Sequence, residues 1–357
     1  MKRGGSWLAL VLTVVLLAGL LAGCGDTQTQ EPVPEETAAV DLPVPAQPEQ
    51  PAEPEQPDTP VPTVTAAVMP AVEAAFDETL LVDNDDIAVT VTEFDPVSQW
   101  GPIFTVLLEN KTERDLYFTL ANVSVNNVMN DPIWGENVPA GESVYSYIYW
   151  YPEDMLSSGI NYVEHVSATL WVYDRDDHTA PDIYEDTVSW SVSTSGTDLP
   201  ATQRMVYDGS FEPIEILTGD VIAYLVDYTP TGEWGPALTV YLENNGGQTV
   251  LLAMTDVSVN GVACDPYWNE NVAPGKISYS TCFWWDEDLQ ELGIDKIETV
   301  DFTFLAIDHS DWGELASVTM TVSVEGTGQV IAQSGSGTVT LENSLTSGEQ
   351  VFLLPGE

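Results

Sequence analysis

Basic side chains are scarce in this sequence: 8 Lys and Arg stand against 57 Asp and Glu in 357 residues, a formal charge of −49. A surface so acidic repels phosphate backbones and anionic headgroups, which argues against nucleic acid as a partner. Histidine is nearly as rare, at three residues, and so is cysteine, also at three, too few for a disulfide-stapled scaffold. His-Glu-x-x-His, Gly-x-Ser-x-Gly and a phosphate-cradling glycine loop are all missing. With no recognisable nucleophile-base pair or metal-ligand cluster, the expectation is a protein that is not an enzyme and carries no cofactor.

One long apolar run exists, Trp7 to Leu21, preceded by Lys2 and Arg3. It is short for a span, which takes about 20 apolar residues, and has the layout of an export signal. It ends in Leu21-Ala22-Gly23-Cys24, which looks like the lipobox of bacterial lipoproteins. That resemblance implies a signal peptide over 1–23, cleavage before Cys24, and lipidation of its thiol. The expected location is the extracytoplasmic face of the bacterial cell membrane, where two or more acyl chains on one residue anchor firmly because each buried methylene contributes about 0.8 kcal/mol. Losing Lys2 and Arg3 leaves 6 basic residues against 57 acidic, or −51.

Residues 24–66 are Pro, Glu, Gln, Thr and Ala with almost no large side chain. Such a segment cannot offset its ordering entropy and reads as a disordered acidic linker, extended at about 3.1 Å per residue.

Beyond it the chain repeats itself. A shift of 134 positions carries Trp100-Gly101-Pro102 onto Trp234-Gly235-Pro236 and holds without a gap through Asp177 and Asp311. The same shift superposes Leu108-Glu109-Asn110 on Leu242-Glu243-Asn244, Val123-Ser124-Val125-Asn126 on Val257-Ser258-Val259-Asn260, Asp131-Pro132 on Asp265-Pro266, and Gly159-Ile160 on Gly293-Ile294. Phe104, Val106 and Leu108 alternate with Thr105 and Glu109, and Leu238, Val240 and Leu242 do the same. Period two marks half-buried strands. Asn260-Gly261 between valines predicts a tight hairpin, since a type I′ turn needs positive φ at both central residues. Glu287 to Leu292 predicts one short helix, capped by Asp286 and stopped by Gly293. About seven short strands per copy predict an all-β fold of two tandem β-sandwiches.

These words resemble the immunoglobulin-like domains of unknown function found in lipoproteins of Gram-positive anaerobes, over 78–193 and 208–325. The resemblance implies an immunoglobulin-like fold and no functional residue. Residues 326–357, rich in Gly, Ser and Thr, are expected to form a loosely ordered tail.

Three sets of side chains are candidates for function. Trp134 and Trp268, in matching loops after Asp-Pro, and Trp150 and Trp284, in matching aromatic segments, could stack on sugar rings or fill the sandwich core. Asp174 and Asp177, matched by Asp308 and Asp311, are weak calcium candidates against the alternative of solvated turns. Cys264 and Cys282 are a candidate disulfide in the second copy alone, since the first has Asn130 and Ile148 there. No histidine is shared: His165 aligns with Thr299 and His309 with Arg175. The expected function is therefore a non-catalytic envelope lipoprotein whose domains bind an extracellular protein or wall component, with a carbohydrate-binding module pair as the alternative.

Overall fold

A computed structural model describes residues 68–98, 100–203, 211–232, 234–326, 328–335 and 337–341. The expected signal peptide, Cys24, the expected linker and the last sixteen positions lie outside the described residues.

The first copy runs β1 (Glu73–Ala75), β2 (Thr79–Asp83), β3 (Ile87–Ser98), β4 (Gly101–Asn110), β5 (Leu116–Val125), β6 (Val128–Met129), β7 (Glu136–Val138), β8 (Ser143–Tyr149), α1 (Pro152–Ser157), β9 (His165–Asp174), β10 (Tyr184–Ser191) and β11 (Ser193–Ser195). The second runs β12 (Ile214–Gly219), β13 (Val221–Gly232), β14 (Gly235–Asn244), β15 (Val250–Val259), β16 (Val262–Ala263), β17 (Asn269–Val272), β18 (Lys276–Phe283), α2 (Asp286–Glu291), β19 (Thr299–Asp308), β20 (Glu314–Ser323), β21 (Gln329–Gly335) and β22 (Thr338–Val339).

Each copy is a sandwich. In the first, β2-β3-β4-β8 faces β10-β9-β5, with β7 beside β5. Leaving β2 aside, β3-β4-β8 against β10-β9-β5 is the A-B-E against G-F-C order of an immunoglobulin-like sandwich. The second copy repeats this order with β12 to β15 and β18 to β20. The alternation read from the sequence puts Phe104, Val106 and Leu108, and Leu238, Val240 and Leu242, in the two cores. Asn260 and Gly261 take φ of 51° and 79°, as the hairpin requires, and Asn126 and Asn127 take 52° and 69°.

Two expectations are corrected. The N-cap of α2 is Trp285, without a side-chain cap, and Asp286 is its first residue. The described part of the tail is ordered into the second sandwich: β21 adds to β20 and β22 pairs parallel to β12, which buries Val339 and Leu341 in the core. The chain thereby crosses from one sheet to the other and covers an otherwise open edge of each, a common protection for exposed strands.

The copies are joined edge to edge. β6 of the first pairs parallel to β18 of the second at Val128 and Ile277, so that one ten-stranded sheet runs through both. Ile277 N–H donates to Asn127 O at 3.0 Å and Lys276 Nζ to Asn127 Oδ1 at 3.0 Å. Met129 packs into the core of the second copy, while Ile277 and Tyr279 pack on the core of the first. At the two far ends the matching positions are Ala263 and Ser143, smaller or more polar side chains that leave those edges as caps.

Candidate functional site

Most of what the copies share has a structural cause. Buried Asn110 donates to Arg114 O and Val138 O, at 2.7 and 3.0 Å, and buried Asn244 donates to Gln248 O and Val272 O, at 2.8 and 2.7 Å. Asn126 Oδ1 accepts from the N–H groups of Glu164 and His165, and Asn260 Oδ1 from those of Glu298 and Thr299. Gly159 and Gly293, at φ of 75° and 73°, end the short helices in the left-handed conformation that glycine tolerates. Gly101 and Gly235 have positive φ, and a Cβ there would lie 2.1 Å from Trp150 O and 2.2 Å from Trp284 O.

The tryptophan of the shared Trp-Gly-Pro has no such explanation. Trp100 is 50 % exposed and Trp234 52 %. Around Trp234 gather Tyr267, Phe283 and Trp285: ring centroids lie 5.4 Å apart for Trp234 and Trp285, 5.6 Å for Tyr267 and Trp285, and 5.1 Å for Phe283 and Trp285. Tyr267 is bridged to Phe283 through backbone pairing, its N–H donating to Phe283 O at 2.8 Å. The first copy has Ile133 bridged to Tyr149 in the same way, with Tyr149 and Tyr151 rings 5.9 Å apart. Burial of the Tyr151 phenol is secondary to the neighbouring Tyr149 in holding its pKa above the ordinary value. Ile133 and Tyr267 are 47 % and 56 % exposed. The second copy thus presents an aromatic patch built from Trp234, the residue after Asp-Pro, the end of β18 and the residue before the helix, and the first carries Trp100, Ile133, Tyr149 and Tyr151 at the matching positions.

The candidate tryptophans named from the sequence lie next to this patch and face the other way. Trp150 and Trp284 are 1 % exposed core residues, with Nε1–H donating to Asn130 O at 3.0 Å and Cys264 O at 3.1 Å. Trp134 and Trp268 pack on the cores and are tied by matching chains: Trp134 Nε1–H to Ser146 Oγ (3.1 Å) and Ser146 to Glu136 (2.8 Å), Trp268 Nε1–H to Ser280 Oγ (2.8 Å) and Ser280 to Glu270 (2.7 Å). Neighbouring residues of an extended chain point to opposite faces, so the interior ring and the exposed ring adjoin in sequence.

The acidic candidates are occupied within their own turns. Asp174 is buried, receives Arg114 Nη1 at 3.3 Å, and accepts from the N–H groups of Asp176 and Asp177. Asp177 accepts from Thr179, Asp308 from Ser310 and Gln248, and Asp311 from Gly313. Hydrogen bonds from the Thr179 and Ser310 hydroxyls are the main cause holding the Asp177 and Asp308 carboxyls below their ordinary value. Among the described residues no group of three or more His, Cys, Asp and Glu is placed to hold a metal ion. Cys264 and Cys282 are both buried free thiols, and Cys282 Sγ contacts Met254 Sδ at 3.9 Å instead of forming a disulfide.

No family model matches the chain, and no curated protein does. Among solved structures the chain is similar to a protein of unknown function from Porphyromonas gingivalis W83, at 12 % identity over 70 % of this chain and 98 % of that one, with a TM-score of 0.16. A score that low carries no argument. No described helix is long and apolar enough to cross a membrane.

Proposed function

We propose that this chain is a non-catalytic lipoprotein of the bacterial cell envelope, anchored through Cys24 on the extracytoplasmic face, whose two sandwiches bind an extracellular protein or wall component. The observation that carries this reading is the aromatic patch around Trp234 and the equally exposed Trp100 at the matching place in the first copy, where the other shared residues are engaged in folding. Aromatic rings supply large contact area at low entropy cost and are enriched where proteins bind one another. Two matching surfaces in one chain gain further from avidity, by about 10²- to 10⁴-fold when a partner engages both. The strongly acidic surroundings select neutral or basic partners.

The test is capture from growth medium and envelope extract by the purified protein, compared with the Trp100→Ala/Trp234→Ala double variant. Specific capture that the double variant loses, and each single variant weakens, supports the reading. Retention of the same partners by the double variant refutes it. The anchor is tested separately by Cys24→Ser, which should move the protein from membranes to the soluble fraction. A second reading, glycan binding through the same patches, is favoured by their flat exposed rings; a glycan array probed with the same variants distinguishes it.

A further inference from the structure

A second concave surface lies where the copies meet, and it uses none of the patch residues. The outer face of β5, β9 and β10 and the segment after β6 face β17, β18 and the His309 turn across a cleft of about 670 Å³. That is within the range of small-molecule sites, about 300–1,000 Å³. Neither copy makes this cleft alone, because its two walls come from different copies.

The lining determines what fits. No Lys or Arg lines it, while Asp131, Glu185 and Glu270 do, so an anionic ligand is repelled. Asp131 is exposed to the cleft, yet the packed walls withdraw enough water to hold its carboxyl above the ordinary value, and burial does the same to Glu270. The Glu270 oxygens are taken by Ser278 and Ser280 at 3.1 and 2.7 Å, and among the described residues no three His, Cys, Asp or Glu side chains come together to hold a metal ion. Asn130 and Asn271 stand on opposite walls, but their Oδ1 atoms are shielded from solvent, so the acceptors the cleft offers are the exposed carboxylates of Asp131 and Glu185. Trp171, 39 % exposed and paired with Glu185 of β10, presents a flat apolar ring on the outer face of β9. A neutral molecule with many hydroxyl donors and one apolar face satisfies all of these features, and among common ligands that combination belongs to sugars.

We propose that the cleft between the two copies binds a neutral oligosaccharide, with Trp171 as the stacking surface and the exposed Asp131 and Glu185, the latter paired with Trp171 across β9 and β10, as acceptors for ring hydroxyls. The second copy has Leu305 in the place of Trp171, so the stacking ring belongs to the first copy alone among the described residues.

The experiment titrates the purified protein with tetrasaccharides of β-linked glucose, α-linked glucose, xylose, mannose and N-acetylglucosamine, read by tryptophan fluorescence and calorimetry. The expected result is saturable binding of at least one, weakened at least about tenfold by Trp171→Ala and by Asp131→Asn and unchanged in the Trp100→Ala/Trp234→Ala variant. Trp171 is exposed, so its truncation leaves the fold intact, which circular dichroism checks. Absence of saturable binding by all five sugars at millimolar concentration overturns the proposal, as does binding that Trp171→Ala leaves unchanged. Binding lost only in the Trp100→Ala/Trp234→Ala variant places the sugar on the patches and overturns the cleft assignment while supporting the patches. Competitive displacement by spermidine at equal or lower concentration identifies a cation site and overturns it too.

Discussion

Met129 belongs to the hairpin of the first copy but packs into the core of the second, where it is 7 % exposed. Replacing it by Ala tests the claim that the copies fold as a coupled pair. The second copy carries Ala263 at the matching position, in a hairpin of the same form, so the turn itself tolerates the change. Core Met→Ala substitutions cost about 2–5 kcal/mol, and a site at the rim of an interface belongs at the low end, about 2 kcal/mol. That loss falls on the contact between copies and on the second core, not on the first core. For a domain of this size about 2 kcal/mol lowers the midpoint by about 8 °C. The assay is differential scanning calorimetry together with hydrogen exchange. The second copy should melt earlier than the first, with faster exchange along β15 and β18, while β3 and β4 keep their protection. An unchanged midpoint, or equal loss of protection in both copies, refutes the coupling through Met129.

Three other outcomes are expected. Gly101→Ala and Gly235→Ala should each destabilise by at least about 2 kcal/mol in urea unfolding, because the new Cβ meets a backbone carbonyl at a positive φ; a neutral effect would show that the bulge can move. Cys264 and Cys282, whose thiols are pushed up by burial, should not react with a disulfide reagent in native protein near pH 8 and should both react in denaturant, with Cys24 adding a third thiol only where it is not acylated; fast native reaction would contradict their burial. The raised Glu270 carboxyl favours the protonated folded state, so its contribution is full below the ordinary carboxyl range and is lost as pH rises through the raised value; Glu270→Gln should flatten the fall in stability over that window, and an unaltered pH slope in urea unfolding would refute it.

Much of the candidate site was legible as a region and misread as to face. The aromatic segments and the loops after Asp-Pro were singled out from the sequence, yet the rings chosen, Trp150, Trp284, Trp134 and Trp268, pack in or on the cores, while Tyr151, Trp285 and Tyr267 beside them are partly or largely exposed. Alternation is reliable along a regular strand, but these residues sit at strand ends and bridges, where no periodic run establishes the parity. The signal that was available is Trp100 and Trp234: shared by both copies, next to a glycine whose role is steric, and needed by neither core.

Duplication, strand faces, the positive-φ hairpin and the all-β architecture were legible in the residue order, because these rest on local alternation and turn chemistry that a residue and its near neighbours dictate. Long-range packing settles the rest: β21 and β22 complete the second sandwich, β6 joins β18 into one sheet, and a cleft opens between the copies. Each of these joins residues far apart in the chain: Val128 and Ile277, or Gly219 and Val339. Periodicity reports which face of a strand is apolar, not which distant edge that strand will meet.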